Sequence, residues 1–180
     1  MARHLSQRFP HARIRVVEGK LELVGLARAH FCSWDGWDHL DVVHGDPLDA
    51  IEEDAHRFSM GVLDCAALPG RAGIPALKDA DFRVLKDTLE PGGMLILGGL
   101  GLGMARAGAK IEEGVDHLAA KARDWFETVS VYQSDGGEDK EEFLQLSDEE
   151  PQFIVLLSLA DKPLWPTAFG GYSLLPRGGA

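Results

Sequence analysis

Three short β-rich runs in this chain each close on, or just before, an acidic residue, and helical spacing separates them. Ala12-Arg13-Ile14-Arg15-Val16-Val17-Glu18 comes first, Leu40-Asp41-Val42-Val43-His44 leads into Gly45-Asp46-Pro47, and Phe58 to Leu63 ends on Asp64. Between the first two, Leu23, Ala27 and Phe31 recur at the spacing of one helix face. After the second, Pro47 suits the first turn of a short helix over Leu48 to Ala55. Strands alternating with helices at this spacing require a parallel sheet with right-handed crossovers. Such a sheet binds ligands outside the carboxyl ends of its strands, which is where Glu18, Asp46 and Asp64 fall.

The alternation continues. A Pro/Gly-rich stretch from Leu68 to Pro75 reads as a loop, and Leu77, Ala80, Val84 and Leu85 then mark a helix that Pro91-Gly92-Gly93 stops. Met94 to Leu97 is apolar throughout, as in a central strand covered on both faces, and a helix is predicted from about Ile111 to Arg123. Two further strands are predicted at Phe126 to Tyr132 and Phe153 to Leu159, forming an antiparallel edge. Ser134 to Pro151 between them holds eight acidic residues and reads as an exposed loop or weak helix. At 180 residues, 45% hydrophobic and 26% charged, the chain is read as one globular domain over 1–180.

Composition narrows the partners. A formal net charge of -11, with no Lys/Arg cluster, argues against a nucleic-acid partner. No apolar run reaches the roughly 18 to 20 residues of a membrane helix, so no membrane partner is expected. Cys32 and Cys65 form no CxxC pair and read as small core residues of a reducing compartment, which gives a cytoplasmic expectation. His39 and His44 flank the second strand on opposite faces, so no shared metal is expected, and Trp34 and Trp37 read as loop aromatics packed on the domain.

The acids carry the chemistry. A carboxylate that ends a strand beside a nucleotide crevice can accept both hydroxyls of a ribose, which is the role assigned to Glu18; solvation at a strand end is the plain alternative. Asp46 is equally suited to capping the helix that follows it. Asp64, by itself, reads as a strand-end residue that caps the Leu68 to Pro75 loop.

Read together, Arg15-Val16-Val17-Glu18, Leu26-Ala27-Arg28-Ala29-His30-Phe31 and Val42-Val43-His44-Gly45-Asp46-Pro47-Leu48-Asp49 resemble the spermidine synthase family and its class I S-adenosylmethionine-dependent methyltransferase relatives. Gly61-Val62-Leu63-Asp64, Gly73-Ile74-Pro75-Ala76-Leu77 and Leu89-Glu90-Pro91-Gly92-Gly93-Met94-Leu95-Ile96 extend the resemblance over roughly residues 8 to 98. It implies a Rossmann-like, doubly wound, mostly parallel sheet that binds S-adenosylmethionine or its decarboxylated form. It further implies methyl transfer, or aminopropyl transfer as in polyamine biosynthesis, with Glu18 on the ribose and Asp46 near the adenine amino group. The cofactor-facing set is then Glu18, Gly45, Asp46, Pro47 and Asp64, with Asp64 at the position of the catalytic acid that helps deprotonate an attacking amine.

The sequence departs from that pattern at three places. Seventeen residues precede Glu18, too few for the first strand and Gly-rich loop of the family, so a domain incomplete at its N-terminus is expected. Gly19-Lys20 stands where relatives place an Asp followed by Pro. Cys65-Ala66-Ala67-Leu68-Pro69 lacks the second acid of polyamine-binding members. Two alternatives therefore stand beside the transferase reading. One is a non-catalytic interaction module that uses its sheet edges, with a homodimer as one form. The other is a dinucleotide finger at Gly99 to Gly103, for which the nearest strand-end acid, Asp135, comes 32 residues after Gly103 rather than about 20.

Overall fold

A computed structural model describes residues 9–30, 40–65, 77–100, 111–134, 153–161 and 172–175, with 168–169; for 168–169 and 172–173 the backbone alone is described. Within the span read from sequence as one domain, the chain clusters into two compact units, Met1–Glu53 and Asp54–Ala180.

The first unit holds β1 (Ile14–Glu18), α1 (Leu21–His30), β2 (Leu40–His44) and α2 (Pro47–Glu52). β1 and β2 pair in parallel, Ile14 opposite Leu40 and Glu18 opposite His44, so both carboxyl ends open onto one edge. Arg15 Nε donates to Asp41 Oδ2 at 3.1 Å between directly paired residues. α1 faces the sheet with Val24, which is buried, and with Arg28 one turn later, whose Nη2 donates to the Val42 carbonyl at 2.9 Å. The expected apolar face is therefore displaced: Leu23 is exposed, Ala27 half-buried, and Phe31 lies outside the described residues. A ten-residue helix carrying both a 24/28 and a 23/27 spacing offers two stripes, and the Arg28 hydrogen bond fixes the first.

The second unit contains β3 (Phe58–Asp64), α3 (Asp79–Asp87), β4 (Leu89–Gly98), α4 (Ile111–Ala122), β5 (Thr128–Ser134), β6 (Phe153–Ser158), β7 (Ala168–Phe169) and β8 (Tyr172–Leu174). Its six-stranded sheet runs β3-β4-β6-β5-β8-β7. Among its described residues only β3 and β4 pair in parallel; β6 is antiparallel to β4 on one side and to β5 on the other, and β8 and β7 continue antiparallel. Among the described residues parallel pairing is thus confined to β1/β2 and β3/β4, and the other four strand pairs are antiparallel, so the sheet is not mostly parallel as expected. β6 lies inside the sheet rather than at its margin because five of its six residues are buried, which suits a strand flanked by neighbours.

β4 begins earlier than the sequence suggests. Pro91-Gly92-Gly93 lies within the strand, and the register against β3 jumps between Phe58, opposite Leu89, and Met60, opposite Met94. The extra residues form an irregularity in which Gly92 adopts φ 78°, a conformation that glycine reaches at little cost. β4 is also more one-sided than expected, with Leu95 and Leu97 buried and Met94 and Ile96 half-buried.

The core of this unit combines Leu63, Leu95 and Leu97 with Phe82 and Leu85 of α3, Val115 and Leu118 of α4, and Tyr132, Phe153 and Leu157 of the antiparallel strands. Leu85, Leu97, Val115 and Leu157 are each at most 1% exposed. Asp81 Oδ2 accepts the Lys78 amide at 2.8 Å at the start of α3, and Thr88 Oγ1 donates to the Leu85 carbonyl at 2.8 Å at its end. No helix among the described residues is long and apolar enough to cross a membrane.

Candidate functional site

Glu18 closes β1, and the backbone beyond β2 returns to it: the Gly45 amide donates to the Glu18 carbonyl at 3.2 Å. This bond follows from the parallel register that sets Glu18 opposite His44, and it brings Gly45, Asp46 and Pro47 to the strand end that Glu18 occupies. Glu18 Oε1 accepts the Lys20 amide at 2.9 Å and so fixes the turn into α1. Asp46 Oδ1 accepts the Leu48 amide at 2.9 Å as the N-cap of α2, with Pro47 in the first turn.

The two carboxylates are used alike. Each commits one oxygen to its own backbone, while Glu18 Oε2 and Asp46 Oδ2 carry no protein hydrogen bond among the described residues. Both side chains are half-buried, partly shielded yet open to a ligand. Gly45 is not a glycine for want of space, since an added Cβ would meet only Ala50 Cβ at an ordinary 3.8 Å. Its bareness leaves backbone uncovered between the two acids. Sequence reasoning offered ligand contact or local capping as alternative roles for Asp46; the structure shows the cap, which occupies one oxygen of two.

In the second unit, Asp64 closes β3 and is exposed, directly opposite Gly98 at the end of β4. An added Cβ on Gly98 would meet nothing within 4 Å, and Gly99 turns the chain away from the strand with φ 69°. Among the described residues, the carboxyl end of the β3/β4 pair carries one acid, Asp64. Cys65, immediately after Asp64, is buried, and its thiol is pushed up to about 12 by desolvation, with the Asp64 charge adding to the effect. It is a neutral core side chain, as its sequence context suggests. Cys32, Trp34, Trp37, His39, the Leu68 to Pro75 loop and Gly101 to Gly103 of the glycine run lie outside the described residues.

One polar pair escaped the sequence reading. Asp54 Oδ1 accepts both the backbone amide of His56 at 2.9 Å and, in the matching tautomer, its ring Nδ1–H at 2.8 Å. The Asp54 side chain is 4% exposed and the His56 ring 63%, so the pair anchors the segment entering β3. A D-x-H spacing is its only trace in sequence.

No protein-family profile and no curated protein matches the chain. Solved structures do. A probable spermidine synthase from Corynebacterium glutamicum superposes at TM-score 0.64 and 20% identity, over 92% of this chain and 53% of its own. Spermidine synthase from Thermotoga maritima gives 0.57 and 12%, over 89% and 51%, and an O-methyltransferase from Bacillus cereus in complex with SAH gives 0.54 and 15%, over 81% and 62%. The chain therefore shares its fold with spermidine synthases and class I methyltransferases, while spanning about half the length of the spermidine synthases it matches.

Proposed function

We propose that this chain is an adenosyl-ligand-binding domain of the S-adenosylmethionine-dependent methyltransferase or spermidine synthase type. The observation that carries the reading is the Glu18/Asp46 arrangement: two half-buried carboxylates on one strand-end rim, each with one oxygen tied to backbone and the other unengaged by the described protein. Glu18 would hold the two ribose hydroxyls, since a carboxylate offers about four lone-pair sites and Lys20 takes one. Asp46 would accept from the adenine amino group, and Gly45 and Pro47 would keep the intervening backbone open and fixed. The shared fold supports this, as does the SAH bound in the Bacillus cereus O-methyltransferase.

A bound S-adenosylmethionine, or its decarboxylated form, supplies an electrophilic carbon next to a positively charged sulfur. The chain's part in transfer falls to Asp64. Asp64 would serve as the base, its carboxylate taking up the proton that an attacking amine nitrogen loses. Product identity separates the two chemistries: methyl transfer from S-adenosylmethionine releases S-adenosylhomocysteine, and aminopropyl transfer from the decarboxylated form releases methylthioadenosine. Incubation with each ligand and a panel of amines, followed by mass spectrometry, tests the reading. One of those products, lost in Asp64→Asn with ligand affinity retained, supports it; absence of both with every acceptor removes Asp64 from catalysis and leaves ligand binding to stand alone.

A non-catalytic interaction role is the second reading, and β3, which among the described residues pairs with β4 alone, favours it.

A further inference from the structure

Three hydrogen bonds around the Glu18/Asp46 rim close a ring. The Lys20 amide, bonded to Glu18 Oε1, joins the end of β1 to the start of α1, and the Gly45 amide, bonded to the Glu18 carbonyl, joins the end of β2 to β1. Arg28, in the last turn of α1, completes the ring through Nη2, which donates to the Val42 carbonyl of β2 at 2.9 Å. Ladder parity shows which way that carbonyl faces. In a parallel strand the amide and carbonyl of one residue point to the same side, and successive residues alternate. The Gly45 amide points at β1, so Val43 does as well and Val42 points away from it. Among the described residues β2 pairs with β1 alone, and Val42 is 7% exposed, so water is a poor substitute for a donor there.

We propose that Arg28 is a positioning residue for the ligand rim: by holding Val42 it sets where Asp46, four residues further on, stands against Glu18. This rests on the adenosyl reading above. Glu18 Oε1 and Asp46 Oδ1 are each fixed to their own backbone, through the Lys20 and Leu48 amides. The gap between the two remaining oxygens therefore follows the backbone of β1 and β2. A ligand whose ribose meets one acid and whose base meets the other senses that gap, and a working site tolerates only about 0.5 Å of such displacement. Arg15 bridges the same two strands, pairing with Asp41 at 3.1 Å, but it lies three residues before Glu18 and leaves α1 out. Arg28 instead ties β2 to the helix whose start Glu18 fixes.

Calorimetry with methylthioadenosine, the portion common to S-adenosylmethionine and its decarboxylated form, tests this. Methylthioinosine, with a carbonyl in place of the adenine amino group, reports the Asp46 contact separately. The wild-type chain is expected to prefer methylthioadenosine. Arg28→Met keeps an unbranched stem and removes the donor. It is expected to bind methylthioadenosine about fivefold more weakly, the worth of one hydrogen bond, and methylthioinosine as wild type does. Arg28→Lys, which keeps a donor, is expected to recover most of the loss. Arg15→Met, which breaks the Arg15–Asp41 pair, is expected to lower the denaturation midpoint while binding as wild type does. Five results overturn the proposal and leave adenosyl binding standing: wild type binding the two ligands alike, Arg28→Met binding methylthioadenosine as wild type does, Arg28→Met weakened equally toward both, no rescue by Arg28→Lys, or Arg15→Met as weak as Arg28→Met. An Arg28→Met chain that does not fold makes Arg28 structural and also overturns it. A folded wild type that binds neither ligand overturns both readings.

Discussion

Lys20 donates its backbone amide to Glu18 Oε1 at 2.9 Å, which ties the acid assigned to ligand binding to the turn that starts α1. Glu18 thus has a local role and, in the proposed reading, a ligand role, and truncation would remove both together. Glu18→Gln separates them, since its amide oxygen can still accept from Lys20. The variant is expected to unfold within about 0.5 kcal/mol of wild type, as surface substitutions usually do. It is expected to weaken adenosyl binding about tenfold, the loss of one charge-assisted hydrogen bond. Chemical denaturation and calorimetry check the two halves.

Asp46 can be divided in the same way. Its Oδ1 caps α2 through the Leu48 amide. Asp46→Ala is expected to cost about 1 kcal/mol of stability, the usual value of a lost N-cap, and Asp46→Asn only a few tenths. Urea titration of the three proteins measures this.

Packing around the β4 irregularity predicts an order for two glycine substitutions. A Cβ on Gly93 would lie 2.9 Å from the Glu90 carbonyl oxygen, 3.1 Å from Leu89 Cβ and 3.2 Å from the Phe58 carbonyl oxygen, mostly backbone that cannot move alone. A Cβ on Gly61 would lie 2.9 Å from Leu95 Cδ1, the tip of a side chain that can change rotamer. Gly93→Ala is expected to cost about 2 to 3 kcal/mol and Gly61→Ala about 1, in line with overpacking penalties. Thermal unfolding should rank them in that order.

The buried thiol of Cys65 sets a pH dependence. Its folded value of about 12 lies above the ordinary 9.0, so below pH 9 both states hold the proton and the thiol contributes no slope. Between about pH 9 and 12 the unfolded chain releases the proton while the folded chain keeps it, so stability falls as pH rises. Cys65→Ala is expected to flatten that part of the curve relative to wild type. Native Cys65 is also expected to resist a thiol reagent at pH 8 until the protein is unfolded, because the neutral buried thiol is a poor nucleophile.

How far the sequence foretold this structure depended on what each signal encodes. β1, β2 and β3 were legible because each run is bounded by polar or turn residues, and β3 ends on Asp64 as read. The start of β4 was not legible, since Pro91-Gly92-Gly93 normally interrupts structure and here forms an irregularity inside a strand, held by the Leu159 amide donating to the Gly93 carbonyl at 3.0 Å. The buried stripe of α1 was not legible because the deciding contact, Arg28 to the Val42 carbonyl, is tertiary. β7 and β8 are too short to leave a periodic trace. At the site, the strand-end placement of Glu18, Asp46 and Asp64 followed from alternation alone. The division of labour within the Glu18 and Asp46 carboxylates did not, because it rests on which backbone amides lie within reach.

The central claim, that the Glu18/Asp46 rim binds an adenosyl ligand, is tested most directly by calorimetric titration of the purified chain with S-adenosylmethionine, its decarboxylated form and methylthioadenosine, with Glu18→Ala alongside. The account predicts saturable binding to the wild-type chain by at least one of them, and its loss in a Glu18→Ala chain whose circular dichroism is unchanged. A wild-type chain that is demonstrably folded and binds none of the three would contradict it.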